Sequence, residues 1–230
     1  MKERILYEDN HLIIVNKRSS EIVQGDKTGD LPLSEMVKAY LKSEYRKPGN
    51  VFLGIVHRID RPTSGVVIFA KTGKALSRMN RVLQEGRMEK IYWAVVDALP
   101  PGKEGTLEHY ITRNRKQNKS YASLEKKSGA KSAKLDYRVV GVTKRYFLLE
   151  IRIYTGRHHQ IRAQLAAVGC RIKGDMKYGF PRSNPGGGIY LHARKVGFIH
   201  PVTGNTIEIT APVPQDALWS EFKSLMSFAG

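Results

Sequence analysis

The chain has 230 residues, 41% of them hydrophobic, and 39 lysines and arginines against 21 aspartates and glutamates leave a net charge of +18. A surface that basic repels itself and attracts polyanions, which points to nucleic acid or an anionic membrane surface as partner. No apolar run reaches the roughly 18 residues of a membrane span, no signal-peptide core follows Met1-Lys2-Glu3-Arg4, and the lone Cys170 excludes an intrachain disulfide and cysteine-rich zinc sites; a reducing cytoplasm is the expected compartment.

In chain order, Ile5 to Tyr7 and Leu12 to Val15 are β-prone runs around the turn Glu8-Asp9-Asn10, the pattern of a hairpin. Leu33, Met36, Val37, Tyr40 and Leu41 fall on one helical stripe, and the polar Lys42 to Asn50, with Pro48-Gly49, reads as a loop. Val51 to Val56 and Val66 to Ala70 read as strands on either side of His57-Arg58-Ile59-Asp60-Arg61-Pro62-Thr63-Ser64-Gly65. A carboxylate between two arginines, set between half-buried strands, costs several kcal/mol unless it is paired, so it is ion-paired structure or working chemistry. A turn aspartate closing a loop explains Asp60 equally well.

Leu76, Met79, Val82 and Leu83 mark a second helix that Gly86 ends. Ile91 to Val96 follows as a strand with Tyr92 and Trp93 on opposite faces. Arg113 to Lys134 is the most biased segment, with eight cations and Glu125 as its one acid. Such a run reads as a solvated, partly mobile hairpin or loop, and Tyr121 within it also suits polyanion contact, since an aromatic ring stacks a base while cations hold phosphates. Between Tyr146 and Tyr154, Phe147, Leu149, Ile151 and Ile153 share one face while Leu148, Glu150 and Arg152 share the other, a strand with one face in the core. Thr155 to Arg162 leads into a helix marked by Ile161, Leu165 and Val168 and stopped by Gly169, which leaves Arg157 and His158 near its N-terminus, against the dipole. Pro181 to Gly188 is a flexible loop, Ile189 to Ala193 and Thr206 to Thr210 are strands, and Leu218, Trp219, Phe222, Leu225 and Met226 form a closing helix. Many strands joined by short turns and few helices predict an α+β fold, a large mixed, mostly antiparallel central sheet flanked by helices. No repeat and no long linker divides the chain, so residues 1–230 are expected to form a single domain.

Five blocks in this order resemble the RluA-type pseudouridine synthases, which isomerise uridine in RNA. The hallmark His-Arg-Leu-Asp-x-x-Thr-Ser-Gly stands here as His57 to Gly65, with Ile59 for Leu. It is followed by Lys90-Ile91-Tyr92-Trp93-Ala94-Val95-Val96, by Gly156 to Arg162, by Gly174-Asp175-Met176-Lys177-Tyr178-Gly179, and by Leu191-His192-Ala193 with Phe198-Ile199-His200-Pro201. Together they run from His57 to Pro201. Two departures are plain: Asn16-Lys17-Arg18-Ser19-Ser20 stands where the family often reads Asn-Lys-Pro-x-Gly, so that turn is expected to differ, and Gln164 stands where a histidine is usual. The resemblance implies the pseudouridine synthase core without the S4 RNA-binding domain that many relatives carry, so that RNA is gripped by the catalytic domain's own basic surface.

The resemblance also implies roles. Asp60 is the nucleophile, attacking C6 of the ring or assisting departure of uracil from C1′. Arg162 keeps Asp60 ionised, and Tyr92 is the aromatic wall on which the freed base turns. The target base must be flipped out of its stack; Arg58 either fills the vacated space or pairs with Asp60. His57 and Thr63 join it as substrate contacts, and Lys71, Arg113, Arg115, Lys116, Lys119 and Lys177 would hold phosphates. Ribosomal or transfer RNA is the implied partner, with no membrane, no obligatory protein partner and a monomeric chain. No cofactor is needed, because nothing is added or lost, and no metal is expected, since adjacent histidines such as His158 and His159 point about 100° apart on a helix. Two other readings compete: a noncatalytic RNA-binding protein, and a metal-dependent nuclease pairing Asp60 with Asp175.

Overall fold

The computed structural model describes residues 1–227. After a 3-10 turn at Lys2–Arg4 the elements are β1 (Ile5–Glu8), β2 (Leu12–Lys17), α1 (Leu33–Glu44), β3 (Gly54–Ile55), β4 (Ser64–Ala70), α2 (Gly73–Gln84) and β5 (Glu89–Val96). They continue with β6 (Glu104–Asn114), β7 (Lys119–Ser123), β8 (Lys131–Val142), β9 (Phe147–Ile153), α3 (Gln160–Ala167), a 3-10 turn at Met176–Tyr178, β10 (Leu191–Ile199), β11 (Thr206–Thr210) and α4 (Ala217–Ser227). The chain forms two compact units, one of residues Met1–Glu89 and Ala193–Pro212, the other of Lys90–His192 and Val213 onward.

In the first unit β2 pairs antiparallel with β1 and with β4, and β10 pairs antiparallel with β11. Every residue of β4 is buried, which explains its unbroken apolar run: one face carries Val66 and Ile68 and the other Val67 and Phe69, so both need a cover. Helix α2 supplies one through Ala75, Met79 and Val82, packed with Leu12, Ile14, Val196 and Phe198. Helix α1 supplies the other through Leu33, Val37 and Leu41. The Thr72 side chain caps α2 by accepting from the Ala75 N–H at 3.1 Å.

In the second unit the strand order is β5-β9-β8-β6-β7, antiparallel throughout. One face packs on α3 through Ile161 and Leu165, against Leu149, Ile151 and Leu135, with Tyr92 at its margin. Trp93, Val95 and Leu148 face the other way, onto Trp219 and Phe222 of α4. Tyr92 and Trp93 thus lie on opposite faces, as the period of a strand requires. The side chain of Met226 lies outside the described residues.

The α+β class, with helices on mostly antiparallel sheet, is as expected. The elements differ in four places. Only Gly54–Ile55 of the run Val51 to Val56 is strand, pairing with Ala70 and Phe69 at the end of β4, because β10 takes the same side of β4. Helix α1 continues through Glu44, where Lys2 meets the carboxylate at 2.8 Å. Strands β6 and β8 were not foreseen: their outward residues are mostly charged, and the 11 residues of β6 carry few apolar positions. Strand β10 runs past Ala193 to Ile199, since Lys195 finds Glu208 across the pair at 3.0 Å.

Candidate active site

The hallmark stretch is a loop between β3 and β4, and its backbone is closed by the Thr63 N–H donating to Asp60 O at 3.0 Å. Its exit is fixed by Gly65, which has φ +114°; a Cβ there would lie 2.2 Å from Ala193 O, so no other residue fits. From below the loop is held by Lys17, 1% exposed, whose ammonium donates to the carbonyls of Arg18, Glu21 and Arg61 at 2.9, 2.7 and 3.0 Å. The Ser20 N–H adds a bond to Arg61 O at 2.9 Å. Ser20 adopts φ +70°, a left-handed conformation that glycine reaches at little cost. Its side chain in the left-handed region is a source of local strain.

Lys17 escapes the sequence reading, although a signal was there: by the period of a strand it shares a face with the buried Ile13 and Val15. Burial pulls its pKa down to about 7, against the opposing push of Glu21 and Asp60. Because that value lies below the ordinary 10.5, the unfolded chain holds more protons between about pH 7 and pH 10, and this group makes stability rise with pH across that window. Lys17→Met should remove the slope: the stability gap between wild type and variant is expected to widen by about 2 kcal/mol from pH 7 to pH 9. Parallel urea-unfolding curves across that range would contradict it.

Around the loop, the Arg58 guanidinium donates to Gln24 Oε1 at 3.2 Å and lies exposed. His57 Nε2 accepts the Ile68 N–H at 3.3 Å. Thr63 Oγ1 is buried and has no hydrogen-bond partner among the described residues. Lys71 is set apart: the length of β4, roughly 20 Å, separates it from the loop. Its ammonium pairs with Glu8 at 2.7 Å and lies 4.7 Å from the centre of the Tyr45 ring.

The second unit carries Tyr92 and Arg162. Tyr92 is half-buried on β5, across from Ile151. Lys90, on the same face two residues earlier, is a cation the sequence reading passed over, and burial lowers its pKa. Arg162 stands in the first turn of α3 and is 5% exposed. Its Nε and Nη2 donate to Asp175 Oδ2 and Oδ1 at 2.6 and 2.8 Å, a two-pronged pair with a carboxylate that is 1% exposed. Asp175 thus neutralises a cation instead of offering a metal a bare carboxylate. The Tyr178 ring centre lies 5.0 Å from the Arg162 guanidinium. Just before α3, His159 has φ +53° and its ring stacks on His158 at 3.8 Å. Burial, then the charges of Arg162, His158, Lys177 and Arg113, pull the His159 pKa to about 2, so the ring is neutral. Arg157, the cation placed against its helix, has its partner in Ser132 O at 2.9 Å.

Strands β6 and β7 form the cationic hairpin. Arg113, Arg115 and Lys116 are exposed, and Lys119 lies 5.4 and 5.2 Å from the rings of Tyr121 and Tyr178. Its turn is tied down: Asn118 N–H bonds Arg115 O at 3.2 Å, and the Lys177 ammonium donates to the carbonyls of Gln117 and Asn118 at 3.4 and 3.2 Å. Gln164 is buried in α3, where its amide donates to Leu107 O at 2.9 Å and to His109 Nδ1 at 3.2 Å. It stitches helix to sheet. Among the described residues no group of three or more His, Cys, Asp or Glu side chains is arranged to hold a metal ion, and no helix is long and apolar enough to cross a membrane.

Residues 11–167 match the family model described as RNA pseudouridylate synthase. The chain is 34% identical over 220 residues to the ribosomal large subunit pseudouridine synthase C of Buchnera aphidicola, covering 93% of this chain and 68% of that one. It is 31% identical over 232 residues to the ribosomal large subunit pseudouridine synthase D of Zymomonas mobilis, covering 96% and 72%. Its fold is similar to that of human RNA pseudouridylate synthase domain containing 4, with a TM-score of 0.79, 20% identity, and 98% and 94% of the two chains covered.

Proposed function

The chain belongs to the RNA pseudouridylate synthase family, and from that premise we propose that it isomerises a uridine of ribosomal RNA with Asp60 as nucleophile. The observation that carries the reading is how the Asp60 loop is held: a buried ammonium, a left-handed serine and an irreplaceable glycine fix the backbone on both sides of one carboxylate. Strain and buried charge of this kind are retained where geometry matters to chemistry.

In the proposed reaction the bond from C1′ to N1 breaks, uracil turns, and C5 bonds to C1′; N1 gains a proton as C5 loses one, so the balance needs no cofactor. Asp60 attacks and Tyr92 holds the turning base. Arg162 keeps the nucleophile charged, itself fixed by Asp175. Arg58, exposed beside the nucleophile, takes the place of the flipped base with His57 next to it, while Thr63, its side chain buried, is left to shape the loop. Two relatives named for the large ribosomal subunit support ribosomal over transfer RNA. Pseudouridine mapping of total RNA from cells with and without the gene tests this: a site lost from ribosomal RNA and restored by the gene is expected, and a loss confined to transfer RNA would refute the substrate class.

The hairpin cations Arg113, Arg115, Lys116 and Lys119 supply phosphate contacts. RNA affinity should fall steeply with salt, and Arg115→Ala with Lys116→Ala should flatten the slope of log K against log salt by about 1.5, at roughly 0.7 to 0.9 per phosphate. A slope equal to that of the wild type would remove the hairpin from the RNA surface. Lys71, held in its pair with Glu8, and Lys177, clasped to the hairpin turn, are expected to add less.

A further inference from the structure

The segment from Asp175 to Tyr178 holds two things at once. Asp175 grips Arg162 through both carboxylate oxygens, while the residues after it grip the cationic hairpin. Lys177 reaches the carbonyls of the hairpin turn. The Tyr178 hydroxyl reaches β7, accepting the Ser120 N–H at 2.9 Å and lying 3.0 Å from Ser120 O. The same oxygen lies 3.0 Å from Nδ1 of His159, the residue just before α3. A phenol has one proton to give and two lone pairs to fill. All three contacts are satisfied when Tyr178 donates to Ser120 O and accepts from Ser120 N–H and from a neutral His159 protonated on Nδ1.

Around this point His158 Nδ1 meets Ser120 Oγ at 2.8 Å, and the Tyr178 ring lies beside the Arg162 and Lys119 cations at 5.0 and 5.2 Å. One hydroxyl is therefore the junction of β7 with the strained start of α3, three residues from Arg162. Strand β7 is short, five residues paired only with β6 in the strand order of this unit, so its register against α3 depends on such ties.

We propose that the Tyr178 hydroxyl is a positioning group for the isomerisation: it keeps the RNA-holding hairpin in register with Arg162, so that bound RNA and the cation of the site move as one body. The inference rests on the roles given above to Arg162 and the hairpin. Displacements near 1 Å at a reacting centre cost large factors in rate, and a hairpin loosened on α3 would bind RNA yet present it out of register.

Tyr178→Phe keeps the ring beside Arg162 and Lys119 and removes only the hydroxyl. Tyr137→Phe, on β8, removes the hydroxyl of another buried tyrosine of the same unit, one with no hydrogen bond to β7 or α3 among the described residues, and serves as the control. With the RNA identified by mapping, the single-turnover rate of Tyr178→Phe at saturating RNA is expected to fall about tenfold relative to the control. Its RNA Kd should stay within about twofold of wild type; the lost contacts should lower its melting temperature below the control's, so rates are compared at a temperature where both variants are fully folded. A rate equal to the control's overturns the proposal, as does a loss explained wholly by weaker RNA binding or by a smaller folded fraction. Asp60→Ala run alongside separates the layers. Product from Asp60→Ala refutes the nucleophile itself, whereas an inactive Asp60→Ala beside a fully active Tyr178→Phe refutes only the positioning role.

Discussion

Asp60→Ala is expected to lower pseudouridine formation by at least about 10,000-fold while RNA affinity stays within about threefold. A nucleophile that opens a covalent path has no substitute in solvent, and a loss of that size corresponds to about 5.5 kcal/mol of transition-state stabilisation. The loop should survive the change, because what holds it is backbone: Thr63 N–H on Asp60 O, and Lys17 and Ser20 on Arg61 O. Loss of the carboxylate also removes one of the charges that push the Lys17 pKa upward. Asp60→Asn, nearly the same shape, controls for packing and should be as inactive. Residual activity above a hundredth of wild type in either variant would exclude Asp60 as the nucleophile. Loss of RNA binding in step with activity would instead make it a binding residue.

The second large effect concerns the buried pair of Arg162 and Asp175. Removing one partner strands the other's charge in the interior, and Asp175→Leu or Arg162→Met alone should cost about 3–5 kcal/mol of stability. The double variant Arg162→Met with Asp175→Leu leaves no orphaned charge at the pair and should recover at least about half of that loss. It should nevertheless remain inactive, because the cation assigned to the nucleophile is gone. Urea unfolding and product formation on the same four proteins give both answers. A single variant that unfolds like wild type would mean that the pair is not sealed from water, and an active double variant would remove Arg162 from the chemistry.

How much of this was legible in the sequence depends on what kind of residue carried the signal. Strand β9 could be read whole, since its alternation matches the two clusters its faces pack on. Helix α2 announced its Gly86 stop, while its Thr72 cap came to light only in the structure. Strands β6 and β8 were hidden, because a strand whose outer face is lysine, arginine and glutamate looks like a charged loop until its partners are known. Asp60 stood out by its charge between apolar runs, but its role, like those of Tyr92 and Arg162, came only by resemblance. The partners that hold them were out of reach for a physical reason: Lys17 lies 43 residues before Asp60 and Asp175 lies 13 after Arg162, and neither spacing follows the period of a helix or strand. Two signals remained unused. An inward lysine on an apolar strand already implied a cage of acceptors, and Tyr178 stood in a quoted block whose purpose the sequence did not state.

The first unit is discontinuous, and this has a consequence for how the protein is made. Its core includes Val196, Phe198 and Ala211, and its Asp60 loop is braced where Gly65 meets Ala193. These residues leave the ribosome only after the intervening segment Lys90–His192, a delay of roughly 5–20 s at ordinary rates of synthesis. Through that interval Leu12, Ile14, Val66 and Ile68 await part of their cover. A chain halted before Ala193 would therefore carry the whole hallmark loop and still have no finished core beneath it. Asp60 is synthesised early and set late.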